Sequence, residues 1–399
     1  MTGVAVEHGL KKVSRVFVAE FFLANTKASQ LVPLSILTEA ETMLRAVVTD
    51  LALLPDVEVT VLLSSEVATR FGELSIFDPP DGLNRVRIQR GELQSETLPT
   101  ILRAASQHAA FDAVLLIAPE CDGVLVSLLK AVQEPDACPM LSLNLDWRLA
   151  EIFADKRRTD VWLRQHGIAT ISTRTIDDAT ADLLQCTSLQ NSVTENVTGT
   201  HRSIAAQLAV LKPRDGAGAD RVRVVPFPLQ QFLNLPQQSA DNDRWILQPF
   251  MPGMACSVGF IGGGKCGLPI ILPPARQEIQ LTASVISYHG GQIPCESGIA
   301  SQIKPVAAQI AVALGAFHGY VGADLLVDLA VPEGSEGTVR VVEINPRLCT
   351  SYVGYRAIAE DNLAAWLLPQ HHGQAIRWKP ETVTFLANGE TCLSFIPTA

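Results

Sequence analysis

The sequence predicts an open α/β domain followed by a larger α+β region, and three observations predict it. Over roughly residues 14–145, apolar runs of strand length alternate with helically spaced stretches, the pattern of a parallel sheet with helical crossovers. Beyond residue 146, strand runs outnumber helical ones and are separated by Gly/Pro turns. Near the C-terminus, two apolar strand runs, 319–328 and 341–347, each carry an acid in a comparable place.

Residues 13–22 are the first predicted strand. A helix follows over 38–54, with Ala40, Met43, Leu44, Val47, Val48 and Leu51 at the spacing of one helical face. Residues 57–63 form a second strand, 98–108 a helix, 113–118 a strand and 123–133 another helix. Residues 146–166 read as one helix that Gly167 ends, glycine being suited to the left-handed cap position. The stretch 187–201 is rich in Ser, Thr and Asn and is expected to be a loop or an insertion. Strands are predicted at 205–213 and 245–250, a hairpin over 257–272 around Gly262-Gly263-Gly264, and a helix over 305–318. His289-Gly290-Gly291 is expected to be a loop that shapes a pocket, and no internal repeat is found.

With 399 residues, 47% apolar and 18% charged, there is material for two or three cores. The net charge of −10 argues against a nucleic-acid partner, which calls for a clustered basic face. None of the eight cysteines forms a C-x-x-C pair, so neither a zinc site nor a thioredoxin-type motif is indicated. No apolar stretch reaches the ~18 residues of a membrane span, and residues 1–15 lack the apolar core of a signal peptide. A reduced, cytoplasmic protein with no membrane partner is expected.

The chemistry-bearing run is Val341-Val342-Glu343-Ile344-Asn345-Pro346-Arg347. Alternate strand residues share a face, so Glu343 and Asn345 point together while Ile344 packs behind them. Asp324, in Gly319-Tyr320-Val321-Gly322-Ala323-Asp324, would lie on a neighbouring strand. Hard oxygen ligands in this arrangement suit Mg²⁺, with phosphate oxygens completing its shell; Mn²⁺ is also allowed. Viewed alone, the same run describes a strand entering a turn with a Glu343–Arg347 ion pair. Upstream, Leu211-Lys212-Pro213-Arg214-Asp215-Gly216-Ala217-Gly218-Ala219 offers a cation at a strand end and a glycine loop whose N–H groups can approach an anion, or else a surface turn. Lys156 begins a helical stretch, where a lysine is ordinarily solvated. Trp245-Ile246-Leu247-Gln248-Pro249-Phe250 is either a hinge strand able to hydrogen-bond a flat ring or a buried edge strand. The run from Gly259 to Lys265 fits G-x-x-x-x-G-K, but Cys266 replaces the needed Ser or Thr and the prolines beyond it exclude the required helix.

In order, these motifs resemble the ATP-grasp superfamily, over nearly the whole chain. The resemblance implies a pre-ATP-grasp domain over 14–145 and an ATP-grasp domain over 146–399. Within the latter, a mobile lid at about 170–248 and a metal-binding subdomain at about 249–380 would clasp ATP between them. Lys156 and Lys212 would contact phosphates, Gln248 and the Phe250 backbone would hold adenine, and the loop carrying Asp215, Gly216, Ala217 and Gly218 would close over the phosphates. Asp324, where the superfamily often has Glu, would hold Mg²⁺ with Glu343 and Asn345. Arg347 and Lys212 would stabilise the transferred phosphoryl group.

The segment from Glu343 through Arg347, Ser351, Tyr352 and Tyr355 to Arg356 further resembles the tail of tyramine–glutamate ligases of methanofuran biosynthesis. So does the helix with Met43-Leu44-Arg45 and Asp50-Leu51 after a strand ending in Glu20. Bacteria that use one-carbon compounds make a related furan cofactor. The chain departs from that pattern after Glu20, where Phe21-Phe22-Leu23-Ala24-Asn25 replaces a glycine-rich segment. The resemblance implies an ATP-dependent ligase joining glutamate to tyramine or a tyrosine-like amine through an acyl phosphate. Its partners would be small-molecule carboxylates and amines, and a homo-oligomer is compatible with it. Arg276, Ser351, Tyr352 and Arg356 are the candidates to face the carboxylate substrate, an arginine being able to fork onto it. A nucleotide-binding module without turnover and a kinase acting on a hydroxyl are the competing expectations.

Overall fold

The computed structural model describes residues 12–71, 85–105, 111–134, 140–178, 207–216, 221–227, 244–263, 267–329, 338–371 and 373–395. Its first layer is a five-stranded parallel sheet of β1 (Arg15–Glu20), β2 (Glu58–Leu63), β3 (Val86–Arg90), β4 (Ala113–Ile117) and β5 (Leu141–Ser142), in the order β3-β2-β1-β4-β5. Val16, Phe17, Val18 and Ala19 are all fully buried, because the crossovers cover both faces of a parallel sheet. The covering helices are α1 (Thr26–Leu31), α2 (Leu34–Leu53), α3 (Ser65–Phe71), α4 (Leu98–Ala105) and α5 (Val124–Gln133). The buried residues of α2 include the predicted face, Ala40, Met43, Leu44, Val47, Val48 and Leu51, and also Leu37, Ala46, Asp50 and Ala52. The predicted helix over 98–108 ends at Ala105, and residues 106–110 lie outside the described residues.

Strand order reverses around β1, which is hydrogen-bonded to β2 on one side and β4 on the other. The carboxyl ends of β1 and β4 therefore open a crevice of the kind that receives ligands in open α/β sheets. Glu20 closes β1, and Ala118-Pro119-Glu120 follow β4.

After α6 (Trp147–Phe153) and α7 (Lys156–Gln165), a twelve-stranded sheet is built by antiparallel pairing. Its path runs β15 (Val339–Asn345), β14 (Tyr320–Val327), β10 (Met254–Ile261), β12 (Ala275–Thr282), β13 (Val285–Ile293), β8 (Arg223–Phe227), β7 (Gln207–Pro213), β9 (Trp245–Pro249), β6 (Arg174–Thr175). β11 (Ile270–Ile271) pairs with β10, and β16 (Glu381–Leu386) joins β13 and β17 (Thr391–Phe395). α8 (Ser297–Leu314) lays Ile303, Ala307, Ile310, Ala311 and Leu314 in the same core as β10, β14 and β15. Gly319 fixes the approach of the two layers. Its φ is +87°, and a Cβ there would lie 2.2 Å from the carbonyl oxygen of Leu143.

Several expectations are corrected. Residues 146–166 form two helices, because the Asp155 carboxylate caps a new one by accepting from the N–H groups of Arg157 and Arg158. α8 begins at Ser297, well before Pro305, since packing of its buried face outweighs the hydrogen bond that the proline removes. His289, Gly290 and Gly291 lie inside β13, where Gly290 has φ +128° and a Cβ would meet the Phe385 carbonyl at 2.0 Å. The predicted loop at 187–201 lies outside the described residues.

The two layers are joined by α9 (Ser351–Ile358) against α2. Tyr352 and Arg356 are one helical turn apart and share a face. The Tyr352 hydroxyl donates to Asp50 Oδ2 at 2.8 Å, and Arg356 Nη2 donates to Asp50 Oδ1 at 2.6 Å. Asp50→Ala strands a buried hydroxyl and a half-buried guanidinium. It is expected to lower the unfolding free energy by about 3 kcal/mol, measured by urea denaturation; a midpoint equal to that of the parent would show that this joint carries no stability.

Candidate active site

The centre of the site is made by one irregularity in the β14–β15 ladder. Gly322, Ala323 and Asp324 face Asn345, Ile344 and Glu343, but Leu325 faces Val341, leaving Val342 as a bulge. A regular strand could not bury both Val341 and Ile344, three residues apart, because they would point to opposite faces. The bulge lets both enter the core, at 0% and 1% exposure, while Asp324, Glu343 and Asn345 line a cleft of about 740 Å³.

Two buried lysines face these acids. Lys156 occupies the first position of α7, directly after the Asp155 cap, and Lys212 stands near the end of β7. Their Nζ atoms lie 3.5 and 3.7 Å from Glu343 Oε2. Burial pulls Lys212 down to about 8, against the attraction of Glu343. Burial would raise Glu343, but Lys156 and Lys212 together hold it below the usual carboxylate range. Asp324 goes the other way, pushed up to about 7 by burial and by the negative charge of Glu343.

The donor set fits a hard divalent cation. Asn345 Nδ2 donates to Asp324 Oδ2 at 3.0 Å, which turns its carbonyl oxygen away from that acid. Among the described residues no three His, Cys, Asp or Glu side chains gather as a metal-binding group. The set is thus two carboxylates and an amide, suited to Mg²⁺ or Mn²⁺ with phosphate and water as the remaining ligands. The excess negative charge registered at Asp324 is what a cation there would neutralise.

The glycine loop reaches the same place. Lys156 Nζ donates to the Gly216 carbonyl at 2.6 Å, and the Asp215 carboxylate accepts from the Asp122 N–H at 2.9 Å; Ala217 and Gly218 lie outside the described residues. Gln248 is buried in β9 and donates to the Thr173 hydroxyl at 2.8 Å. Phe250 lines the cleft, with its N–H given to the Leu208 carbonyl at 2.9 Å.

The substrate-side candidates divide. Arg276 and Ser351 line the cleft. Arg276 pairs with Glu296 at 3.2 Å, and the Ser351 hydroxyl lies 3.2 Å from that of Tyr320. Tyr352 and Arg356 do not line it, since the α9 face that carries them turns to Asp50. Arg347 lines the cleft, but its Nε lies 3.0 Å from Glu120 Oε1, in a buried pair with the parallel layer.

Sequence reasoning missed three residues here. Gln277 Nε2 donates to Asp324 Oδ1 at 2.8 Å and sets that carboxylate's orientation. Glu39 on α2 reaches into the cleft and accepts a hydrogen bond from the Thr350 hydroxyl. Glu120 holds Arg347. Gln277 stands beside Arg276, a candidate already, whereas Glu39 and Glu120 have no sequence signal because their partners are remote in the chain.

A twelve-stranded antiparallel sheet carrying two lysines and two acids over one cleft, preceded by a parallel α/β layer, is the ATP-grasp fold. Residues 153–351 match the family model of the ATP-grasp domain, and the chain carries such a domain. No curated protein matches in sequence. Among solved structures, a protein of the ATP-grasp superfamily from Archaeoglobus fulgidus is similar at 18% identity and TM-score 0.59, covering 93% of this chain and 92% of that one. The L-amino acid ligase from Bacillus licheniformis aligns at 15% identity and TM-score 0.56, covering 94% and 79%. The biotin carboxylase domain of the Hydrogenobacter thermophilus 2-oxoglutarate carboxylase, a complex with MgADP, ADP and bicarbonate, aligns at 12% identity and TM-score 0.62, covering 94% and 75%. Among the described residues no helix is long and apolar enough to cross a membrane.

Glu20, at the end of β1, is 2% exposed and is pushed up to about 8 by burial. The folded chain holds this proton to higher pH than the unfolded chain, whose carboxyl titrates near 4.5. Its stability contribution is therefore full below that value and is lost as pH rises toward 8. Glu20→Gln is expected to remove this slope and to exceed the parent in stability above pH 8 by on the order of 4 kcal/mol. Parallel stability curves for the two proteins from pH 5 to 9 would contradict the assignment.

Proposed function

We propose that the protein is an ATP- and Mg²⁺-dependent carboxylate–amine ligase. The observation that carries this is the convergence of Lys156, Lys212, Asp324, Glu343 and Asn345 on one cleft that also meets the crevice of the parallel sheet. Lys156, Lys212 and the Gly216 loop bind the phosphates of ATP; Gln248 and the Phe250 segment bind its base. Asp324, Glu343 and Asn345 would hold Mg²⁺, which would supply charge neutralisation to the phosphate oxygens.

A substrate carboxylate oxygen forms a bond to the γ-phosphorus as the bond to the β-γ bridging oxygen breaks, giving an acyl phosphate and ADP. The neutral amine nitrogen then bonds to the acyl carbon as the bond from that carbon to the phosphate oxygen breaks; inorganic phosphate leaves and takes up the proton lost by the nitrogen. Chemistry of this type rests on positioning and fixed charge. Lys156 and Lys212 are preorganised for it by burial and by Glu343, so little reorientation is required as charge shifts toward ADP. Arg276 and Ser351 stand where they can orient the carboxylate. Arg347, steadied by Glu120, places a cation at the join of cleft and crevice, on the side of the transferred phosphoryl group.

The likeness of the Glu343–Arg356 stretch to tyramine–glutamate ligases supports a narrower reading: glutamate joined to tyramine or a tyrosine-like amine in one-carbon furan cofactor biosynthesis. Incubation with ATP, Mg²⁺, L-glutamate and single amines, followed by ADP and product mass, tests it. An amide of glutamate with tyramine is expected; turnover that yields a phosphorylated alcohol and no amide would replace the ligase by a kinase. Glu343→Ala is expected to lower ADP formation at least a hundredfold with the circular dichroism spectrum retained, and substantial residual turnover would sink the metal assignment.

A further inference from the structure

A second cavity, of about 670 Å³, is lined by the first half of α8, the chain that follows β11 and the end of β13. Among the described residues it shares no lining side chain with the cleft. Pro273, Pro274 and Pro294 give it stiff apolar walls, and Ala300 and Ala307, seven residues apart on one face of α8, leave room between them. Trp378 closes one side; its ring packs on that of Tyr355 with centroids 6.3 Å apart, and its backbone is bridged to Ala359. The size and apolar lining are those of a small-molecule site. Nothing in the proposed ligase chemistry uses this space.

Among the described residues that line this cavity, Glu296 is the one acid and Lys304 the one base. Eight residues of helical rise set them about 12 Å apart along α8. Glu296 is also the link to the cleft. Its Oε1 lies 3.2 Å from Nη1 of Arg276, a residue that lines the cleft. Arg276 Nη2 in turn lies 3.9 Å from Oε2 of Glu278, which lines the cleft as well. One guanidinium is thus shared by two carboxylates, one belonging to each space. The side chains of Arg276 and Glu296 are 41% and 48% exposed, so their pair is weak and readily exchanged.

We propose that the second cavity is an effector site for a small apolar organic cation, whose ammonium takes the place of Arg276 on Glu296 and releases the guanidinium to the cleft. The apolar body lies against the prolines, Ala300 and Trp378. An anion at this end would meet the Glu296 carboxylate. A neutral apolar molecule would fill the walls but leave the Arg276–Glu296 pair intact, so the positive charge is what couples the two spaces. Lys304 is exposed and lies beyond the Debye length of ~8 Å, so it is screened from a head group on Glu296 and disfavours the reversed orientation. Because the ammonium and Arg276 compete for one carboxylate, the effector and a carboxylate bound to Arg276 strengthen each other, by the same factor in both directions. The binding site stands independently of the ligase reading; its effect on the carboxylate substrate rests on that reading.

The test is calorimetric titration of the full chain with N,N-dimethyl-2-phenylethylamine and with 2-phenylethanol. The amine is protonated at neutral pH, keeps one N–H for Glu296 and, being tertiary, forms no amide. It is expected to bind at least threefold more tightly than the alcohol; a smaller ratio, or no binding, would overturn the proposal. Glu296→Gln is expected to bring the two ligands to parity. Arg276→Gln removes the competitor and is expected to tighten the amine at least twofold while leaving the alcohol unchanged; an amine bound no better than by the parent would contradict the exchange on Glu296. Ala300→Phe, at a half-buried wall position, is expected to weaken both ligands at least tenfold, and unchanged binding would place them elsewhere. The parent comparison needs no variant to fold. Hydroxamate formation from glutamate, ATP, Mg²⁺ and hydroxylamine reads the coupling. The amine is expected to lower the KM for glutamate at least twofold with kcat unchanged, and an unmoved KM would overturn the coupling. No hydroxamate under any condition would remove the ligase reading, while the titrations would still decide the cavity.

Discussion

Asp324 and Glu343, set side by side across β14 and β15 and faced by Lys156 and Lys212, form the interaction on which the rest of the site depends. Four ionisable side chains share a buried space, where an unpaired charge would cost several kcal/mol. They tolerate burial because they come as two acids and two cations from separate elements. α7 brings Lys156, β7 brings Lys212, and the bulged ladder brings the acids. Any shift of one element exposes a charge on another, so the cluster fixes the distance between the phosphate side of the cleft and its metal side. The bulge at Val342 is the geometric device that permits this: it satisfies the core with Val341 and Ile344 without turning Glu343 away.

A second constraint comes from the joint between the layers. Asp50 receives Tyr352 and Arg356, Glu120 receives Arg347, and Glu39 receives Thr350. All three acids belong to the parallel layer, and all four partners follow β15 within a short stretch of chain. The segment after the acid strand is thus clamped onto α2 and the end of β4. This places the crevice of the first sheet against the cleft of the second.

Much of this was legible in the sequence, for reasons that can be named. β1 carries four consecutive apolar residues, Val16 to Ala19, because both sheet faces are covered, and α2 shows an apolar stripe at helical spacing where it packs on the sheet. Glu343 and Asn345 point together because strand side chains alternate. The break at Asp155 was also written in the chain, as a capping residue ahead of Lys156, although the long helical stretch masked it. What was hidden is non-local. Nothing near Arg347 announces Glu120, and nothing near Glu39 distinguishes it from a solvated helix residue. Tyr352 and Arg356 looked like pocket residues because they follow the acid strand; one helical turn apart, they face Asp50, a partner some 300 positions away. The bulge at Val342 is likewise invisible locally, since it follows from Val341 and Ile344 both entering the same core.

The most direct measurement is Mn²⁺ binding followed by electron paramagnetic resonance, with and without ATP. Two carboxylates and an amide are too few ligands to hold a hard cation tightly alone, and phosphate oxygens would complete the shell. The account predicts weak Mn²⁺ retention by the protein alone, tight retention once ATP is added, and loss of that gain in Asp324→Asn. Mn²⁺ held equally well without nucleotide, or ATP bound with no effect on the metal, would contradict the assignment of this cleft.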